Sequence, residues 1–362
     1  MKNTYTNLKK LSDKNGEIEF QAEIGMEELE VYSLKELSHY AAELALPGFR
    51  KGKVPDNLVR EHIGEMELLE GAANEALRDA MQEIVTDESL AVLGRPELTI
   101  TKIAPKNPLE FKIRFALAPE ISLPDYRKIG RTVSEIKEEL ATTDKEIDEA
   151  IARIREMIAG VNAPEGEKKE LPPLTDEDVK KFGPFENVAA FRAEIARNLG
   201  QEKASLAKDR KREEMIKQIV AHTKAKIPPM LVEQEFHEFL GDRDRRIEEA
   251  GLSLEEYLKT TGKTAEALDK EERALIEEDI KTSLVIQEIR KKEELAPSER
   301  DIQIAIAHLK MRYPERDEVS LRRTAEAMGL QEQLFAMLEE GKKEEREEAK
   351  KESEDKEEEK AE

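Results

Sequence analysis

The spacing of apolar residues changes several times along the chain, and each change marks an element. Over residues 16–24, Ile18, Phe20, Ala22 and Ile24 recur at every second position, the pattern of a strand with one buried face. From Met26 the sequence reads as a helix to about Ala45, stopped by Leu46-Pro47-Gly48: proline cannot continue a helix and glycine accepts the turn. Further helices are predicted over Asn57–Ile63 and from Leu68 to about Thr86. Alternation returns at Leu98 and Ile100, and again at Leu109, Phe111, Ile113, Phe115 and Leu117. These elements make a strand–helices–strands domain, a sheet covered on one face, over residues 1–115.

A Pro-bounded connector, Ala118-Pro119-Glu120-Ile121-Ser122-Leu123-Pro124, follows. Thr143 with Glu146 has the spacing of a capping box. Ile147, Ile151, Ile154 and Ile158 then recur at helical intervals, so a helix is predicted over 144–158 within a connecting segment, 116–160. Residues 161–173 read as a short flexible or extended joint. Beyond it the chain is helical: a long run from Phe185 or Asn187 to Val220, and a helix pre-set by Ile227-Pro228-Pro229 with Val232, Phe236, Phe239 and Leu240 on its apolar face. Others are predicted over Ser253–Lys259, Ala265–Lys291, Glu299–Tyr313 and Val319–Glu340. Their apolar stripes are narrow, which suits helical arms or hairpins over 174–340 better than one deep core. Residues 341–362 hold 18 charged side chains out of 22, and read as a solvated, disordered tail. The predicted class is α+β: an N-terminal α/β domain followed by a long, mostly helical C-terminal domain.

Composition narrows the chemistry. The 362 residues carry 82 Asp and Glu against 60 Lys and Arg, a net charge of −22, with 4% aromatics and no Trp. Such a length calls for two or three domains. With no Cys there is no disulfide, thiol catalysis or cysteine-ligated metal. The five histidines, at 39, 62, 222, 237 and 308, are scattered and form no metal-binding pair. No catalytic constellation or phosphate-binding glycine loop stands out, so no cofactor, metal or catalytic residue is expected. No run of 18 apolar residues or signal-peptide core occurs, which points to a cytoplasmic protein without membrane association. The acidic balance also argues against a general nucleic-acid binder, confining any such contact to a small patch.

One segment departs from this background. Leu46-Pro47-Gly48-Phe49-Arg50-Lys51-Gly52-Lys53-Val54-Pro55 frames three cations between glycines and prolines, with Arg60 beyond it. Residues 46–60 carry a net +3, whereas residues 1–112 hold 14 basic and 21 acidic residues. A basic tip on an acidic protein is suited to meeting phosphates or an acidic partner. Charge and turn chemistry alone favour a solvated helix–helix turn. Phe49 is either an anchor of the loop or a contact to a partner.

Gly48-Phe49-Arg50-Lys51-Gly52-Lys53-Val54-Pro55 resembles the ribosome-attachment signature of the bacterial trigger factor family. The likeness extends to the Leu109–Leu117 strand with Pro119-Glu120-Ile121, to Leu171-Pro172-Pro173-Leu174 with Phe182-Gly183, and to Ile227-Pro228-Pro229-Met230. The resemblance implies an ATP-independent chaperone that docks near the ribosomal polypeptide exit and shields nascent chains in a helical cradle. It would dock through Gly48, Phe49, Arg50, Lys51, Gly52, Lys53, Pro55 and Arg60, on ribosomal RNA phosphates and an adjacent ribosomal protein. Candidate cradle residues are Met230, Phe236, Phe239, Leu284, Ile286 and Ile289, for which helix–helix packing is an equal reading. Partners would be the ribosome and unfolded polypeptides, without sequence-specific nucleic-acid binding; self-association is known in the family.

The family usually carries an FKBP-type prolyl-isomerase domain where this chain has only the joint at 161–173. A barrel of that kind needs ~80–100 residues, within the ordinary size range of domains, so a form lacking the isomerase is expected. Three other readings stay open: a ribosome-independent holdase or assembly chaperone with the same cradle, an active peptidyl-prolyl isomerase as in full-length members, and a helical scaffold.

Overall fold

The computed structural model describes residues 3–47, 49–138, 140–158 and 174–340. The predicted joint at 161–173, the tail at 341–362 and the position of Gly48 lie outside the described residues. The architecture is α+β: a small N-terminal sheet with its helices, then a chain that is almost wholly helical.

By contacts the chain divides into two compact units, each assembled from two stretches of sequence: residues 1–122 with 224–286, and residues 123–223 with 287–362. The boundaries expected at residues 115, 160 and 173 run in chain order, whereas each of these units joins two stretches of sequence. The backbones of Ser122 and Lys224 bond each other at 3.0 and 3.2 Å, so the first unit's two stretches are tied where the chain leaves and returns.

The first unit begins with β1 (Thr6–Lys14) and β2 (Glu17–Ile24). Three helices follow: α1 (Met26–Glu43), α2 (Asp56–Ile63) and α3 (Glu65–Asp87). The strands β3 (Val92–Lys102) and β4 (Leu109–Leu117) complete an antiparallel sheet of order β1-β2-β4-β3. The central pair keeps continuous register from Glu17 opposite Ala116 to Ile24 opposite Leu109. That register places Ile18, Phe20, Ala22 and Ile24 beside Phe115, Ile113, Phe111 and Leu109 on one face, all buried. Ala72, Ala73, Ala76 and Ala80 of α3 are fully buried against this core; their small side chains let the helix lie close to the large aromatics. Each large apolar side chain so buried stabilises the fold by ~1.5–3 kcal/mol.

The returning stretch supplies α8 (Pro229–Glu249), α9 (Leu254–Thr261) and most of α10 (Ala265–Lys292). Met230 and Leu231 pack with Ala116, Leu93 and Ile280. The Met230 amide donates to Glu17 Oε1 at 2.7 Å, at the free N-terminal end of α8. Leu231 lies against Gly94, where φ is +65° and an added Cβ would come within 2.6 Å of its methyl carbon.

The second unit contains α4 (Tyr126–Ser134), α5 (Asp144–Ile158), α6 (Asp176–Phe182) and α7 (Val188–His222), together with α11 (Glu299–Arg312) and α12 (Glu318–Glu340). Ile147 and Ile151 of α5 join Val179 and Phe191 in one core, edged by Phe182 and Phe185. The Thr143–Glu146 capping box forms as the spacing predicts, and Lys203 of α7 closes on the same carboxylate at 2.7 Å. A second core unites Ile302 and Ile306 of α11 with Leu321 and Ala325 of α12. Arg212 of α7 reaches Glu332 and Glu339 of α12 and stacks on Phe335 at 4.6 Å.

Candidate functional site

The segment between α1 and α2 is held at its two ends and free in the middle. Leu46 at one end, and Val54 and Val59 at the other, pack with Leu37 and Leu68; Val54 and Val59 are 5% and 0% exposed. Pro55 then serves as N-cap of α2, its carbonyl accepting from the Leu58 and Val59 amides at 2.9 and 3.1 Å.

Between these anchors the backbone turns twice. The Phe49 amide donates to the Leu46 carbonyl at 3.0 Å, and the Lys53 amide donates to the Arg50 carbonyl at 2.9 Å. Gly52 takes φ +79° at the third position of the second turn, a place that requires a positive φ in a type II turn and so favours glycine. The turns project Phe49, 40% exposed, together with the exposed side chains of Arg50, Lys51 and Lys53. Among the described residues none of these three cations takes part in an ion pair or a side-chain hydrogen bond. An aromatic ring and three unpaired cations on a braced turn can form charge-assisted bonds with phosphate or carboxylate oxygens and one apolar contact. They offer no group for covalent chemistry.

Of the other residues singled out from sequence, Pro55 is exposed beside Lys53 and Gly52 lies in the turn. Arg60 is half-buried on α2, at a groove of about 600 Å³ that also has Met26, Leu29, Glu65 and Leu68 in its walls. Spacing alone did not show the bracing by Leu46, Val54 and Val59. The signal that could have found it is the pair of aliphatic residues immediately flanking the Gly/Pro-framed turn.

The six cradle candidates separate into two groups. Met230, Phe236 and Ile289 are interior residues, 3%, 1% and 0% exposed, and so do not line an open surface. Met230 packs on the sheet, and Phe236 lies under the Arg273 guanidinium at 3.7 Å, which Glu233 holds at 2.8 Å. Helical periodicity identifies an apolar face, but only packing shows whether a neighbour covers it. Phe239, Leu284 and Ile286 are half-exposed.

Fold and loop together define a class: a small α/β sheet domain that presents a braced basic turn, continued by amphipathic helical units. The family described as bacterial trigger factor protein matches residues 5–154, and the family described as bacterial trigger factor protein C-terminus matches residues 187–343. The chain belongs to the bacterial trigger factor family. A trigger factor of Rhodococcus opacus is 35% identical over 139 residues, which span 38% of this chain and 29% of that protein. One from Moorella thermoacetica is 24% identical over 316 residues, covering 64% and 70% of the two chains. Among solved structures, one described as "Promiscuous Substrate Recognition in Folding and Assembly Activities of the Trigger Factor Chaperone" shares the fold, with TM-score 0.54 and 16% identity over 93% of this chain and all of that one. The two family matches leave residues 155–186 between them. No cluster of metal-ligating side chains occurs among the described residues, and none of their helices is long and apolar enough to cross a membrane.

Proposed function

We propose that this chain is an ATP-independent cytoplasmic chaperone that docks on the ribosome near the polypeptide exit and shields unfolded or nascent chains on its helical units. The observation that carries the docking half is the turn at 49–53, with three cations unpaired among the described residues and both of its ends anchored in a core. Unpaired cations on an otherwise acidic protein favour a phosphate-rich surface, while the overall charge disfavours adhesion elsewhere. The shielding half is supported by apolar side chains left open beside charged ones. Met311 and Val319, at 78% and 71% exposure, flank the α11–α12 connection, and Phe239, Leu284 and Ile286 add half-covered positions on α8 and α10. Contacts of this kind are individually weak, so a client is released once it buries its own apolar surface.

Co-sedimentation with bacterial ribosomes tests the docking. Wild type is expected to pellet with ribosomes at low salt and progressively less as salt rises, whereas the folded triple variant Phe49→Ala, Arg50→Ala, Lys51→Ala should stay in the supernatant. Equal pelleting of the two proteins, or none by either, would remove the loop from the function. The ribosome-independent holdase would then be the reading to test, by its ability to delay aggregation of an unfolded client.

The same reading assigns no prolyl-isomerase activity to this chain. Residues 155–186 are too few for an independent domain of ~50 residues or more. A protease-coupled assay on a short proline peptide should proceed at the uncatalysed rate; any acceleration that scales with enzyme concentration would overturn this.

A further inference from the structure

The two edges of the N-terminal sheet differ in how much of their length is protected. On β1, Lys9, Lys10 and Lys14 are exposed, register shifts interrupt the pairing with β2, and Asn7 takes φ +55°. Lysines and bulges of this kind protect an edge from further pairing. On β3 the register shifts fall between Leu93 and Glu97 and between Ile100 and Lys102, with the exposed Lys102 at the second. Gln234 of α8 occupies the outer side of Arg95: the Arg95 amide donates to its Oε1 at 3.1 Å, and its Nε2 donates to the Arg95 carbonyl at 2.5 Å. A side-chain amide thus takes the place of a fifth strand at that residue, and Pro96 next to it has no N–H to offer.

Between these two shifts the edge is open. Every residue from Glu97 to Lys102 is exposed, and among the described residues only β4 bonds this stretch of backbone. Leu98 lies opposite Ile113 and Ile100 opposite Phe111, so both face the side of the sheet that carries the core. They remain 39% and 38% exposed, whereas Ile113 and Phe111 are fully buried. Glu97-Leu98-Thr99-Ile100-Thr101 is β-favouring; its charge at Glu97 is paired with Arg114, and Lys102 at its end is paired with Glu110 at 3.2 Å.

We infer that residues 97–102 of β3 are a binding edge for an extended segment of unfolded polypeptide, which would add as a fifth strand and set alternate apolar side chains beside Leu98 and Ile100. The inference rests on the chaperone reading above and deepens it by naming a client site. Main-chain hydrogen bonds are common to all sequences, so such an edge selects extended conformation and alternating apolarity rather than a motif. The size of the edge argues for this occupant against a second copy of the chain. Six residues span ~20 Å and would bury on the order of 500 Å² in all, well below the ~1,200 Å² of stable specific interfaces. A contact of that area is weak and transient, which suits a client that must leave.

The test uses the full chain and a labelled 12-residue peptide of alternating Val and Thr with charged ends. A second peptide is N-methylated at alternate residues, which removes the donors along one strand edge. The unmodified peptide should bind by fluorescence anisotropy and slow amide exchange within residues 97–102. Ile100→Lys should weaken binding at least tenfold without changing the circular dichroism spectrum, and the methylated peptide should bind at least tenfold less well. Equal binding of both peptides, or unchanged binding by folded Ile100→Lys, would overturn the inference. Exchange protection at 97–102 that grows with protein concentration in the absence of peptide would assign the edge to a second copy and overturn it also. An aggregation assay on an unfolded client separates the two levels. Failure of the wild-type chain to delay aggregation counts against the chaperone reading, whereas delay by the wild type without peptide binding at the edge counts against this site alone.

Discussion

Gly52 sets the direction in which Lys51 and Lys53 leave the loop, because its φ of +79° is open to glycine and strained for other residues. Gly241 is the opposite case. It sits inside α8, and an added Cβ there would meet nothing within 4 Å. The two glycines therefore predict opposite signs for one substitution. Gly52→Ala should cost about 1 kcal/mol through strain, and Gly241→Ala should gain about 0.5–1 kcal/mol by restricting the unfolded chain and improving helix propensity. Urea midpoints at constant slope check both; a shared sign would refute the conformational argument. At this scale the sequence was informative about the loop and less so about the helices. The Gly/Pro frame and cation cluster were visible as a unit because turn chemistry is local. Phe236 and Met230 looked the same as open apolar positions, because what covers them, Arg273 in one case and the sheet in the other, is remote in sequence.

Elements with a strong period were legible, and those without one were not. The alternation at 18–24 and 109–117 and the isoleucines at 147, 151 and 154 corresponded to β2, β4 and α5 because one face of each is buried. Strand β1 leaves no mark in the sequence, because an edge strand with nearly every residue exposed has no buried period to read. The short α4 is obscured in the sequence for another reason. Gly130 looks like a helix breaker, yet it lies where α4 meets α12 so closely that an added Cβ would come 2.6 Å from the Leu338 carbonyl oxygen. The Thr143 cap was legible, but its partnership with Lys203 of α7 was not, and that partnership makes the cap sensitive to acid. The hydrogen bond from Lys203 and those from the Thr143 amide and hydroxyl hold Glu146 down at about 2, from an ordinary value near 4.5. A carboxylate depressed in the folded state contributes stability above its unfolded value, and this is lost as pH falls toward the folded one. Wild type should therefore lose stability between about pH 4.5 and 2 through this group. Glu146→Gln should be less stable than wild type at neutral pH, with the difference closing as pH approaches 2. Urea midpoints of both proteins at pH 7, 4 and 3 would show it; a gap that stayed constant across that window would mean the carboxylate charge is not what matters.

At the scale of the molecule, the two stretches of each unit are joined by contacts that no local pattern announces. Ile227-Pro228-Pro229 read as a helix boundary, which it is. Nothing in its periodicity says that the next two residues pack on strands formed more than a hundred positions earlier. Yet Met230 bonds Glu17, Leu231 fills the space left by Gly94, and the backbones of Ser122 and Lys224 join. If these contacts make residues 1–122 and 224–286 one folding unit, damage at the start of α8 must appear in the N-terminal sheet. Leu231→Ala removes a buried side chain and should cost about 2–4 kcal/mol. Because stability is shared within a cooperative unit, amide protection in β3 and β4 should fall along with that in α8, while protection in α5 and α7 holds. A chain of serial domains would behave otherwise, with loss confined to α8 and its helical neighbours and β4 exchanging as in wild type. Hydrogen exchange followed by fragment mass spectrometry distinguishes the two outcomes. The result bears on the proposed function because the basic turn is braced by α1, α2 and α3 of the sheet unit: if α8 belongs to that unit, disturbance of the helical sequence at 229–231 reaches the scaffold from which the turn projects.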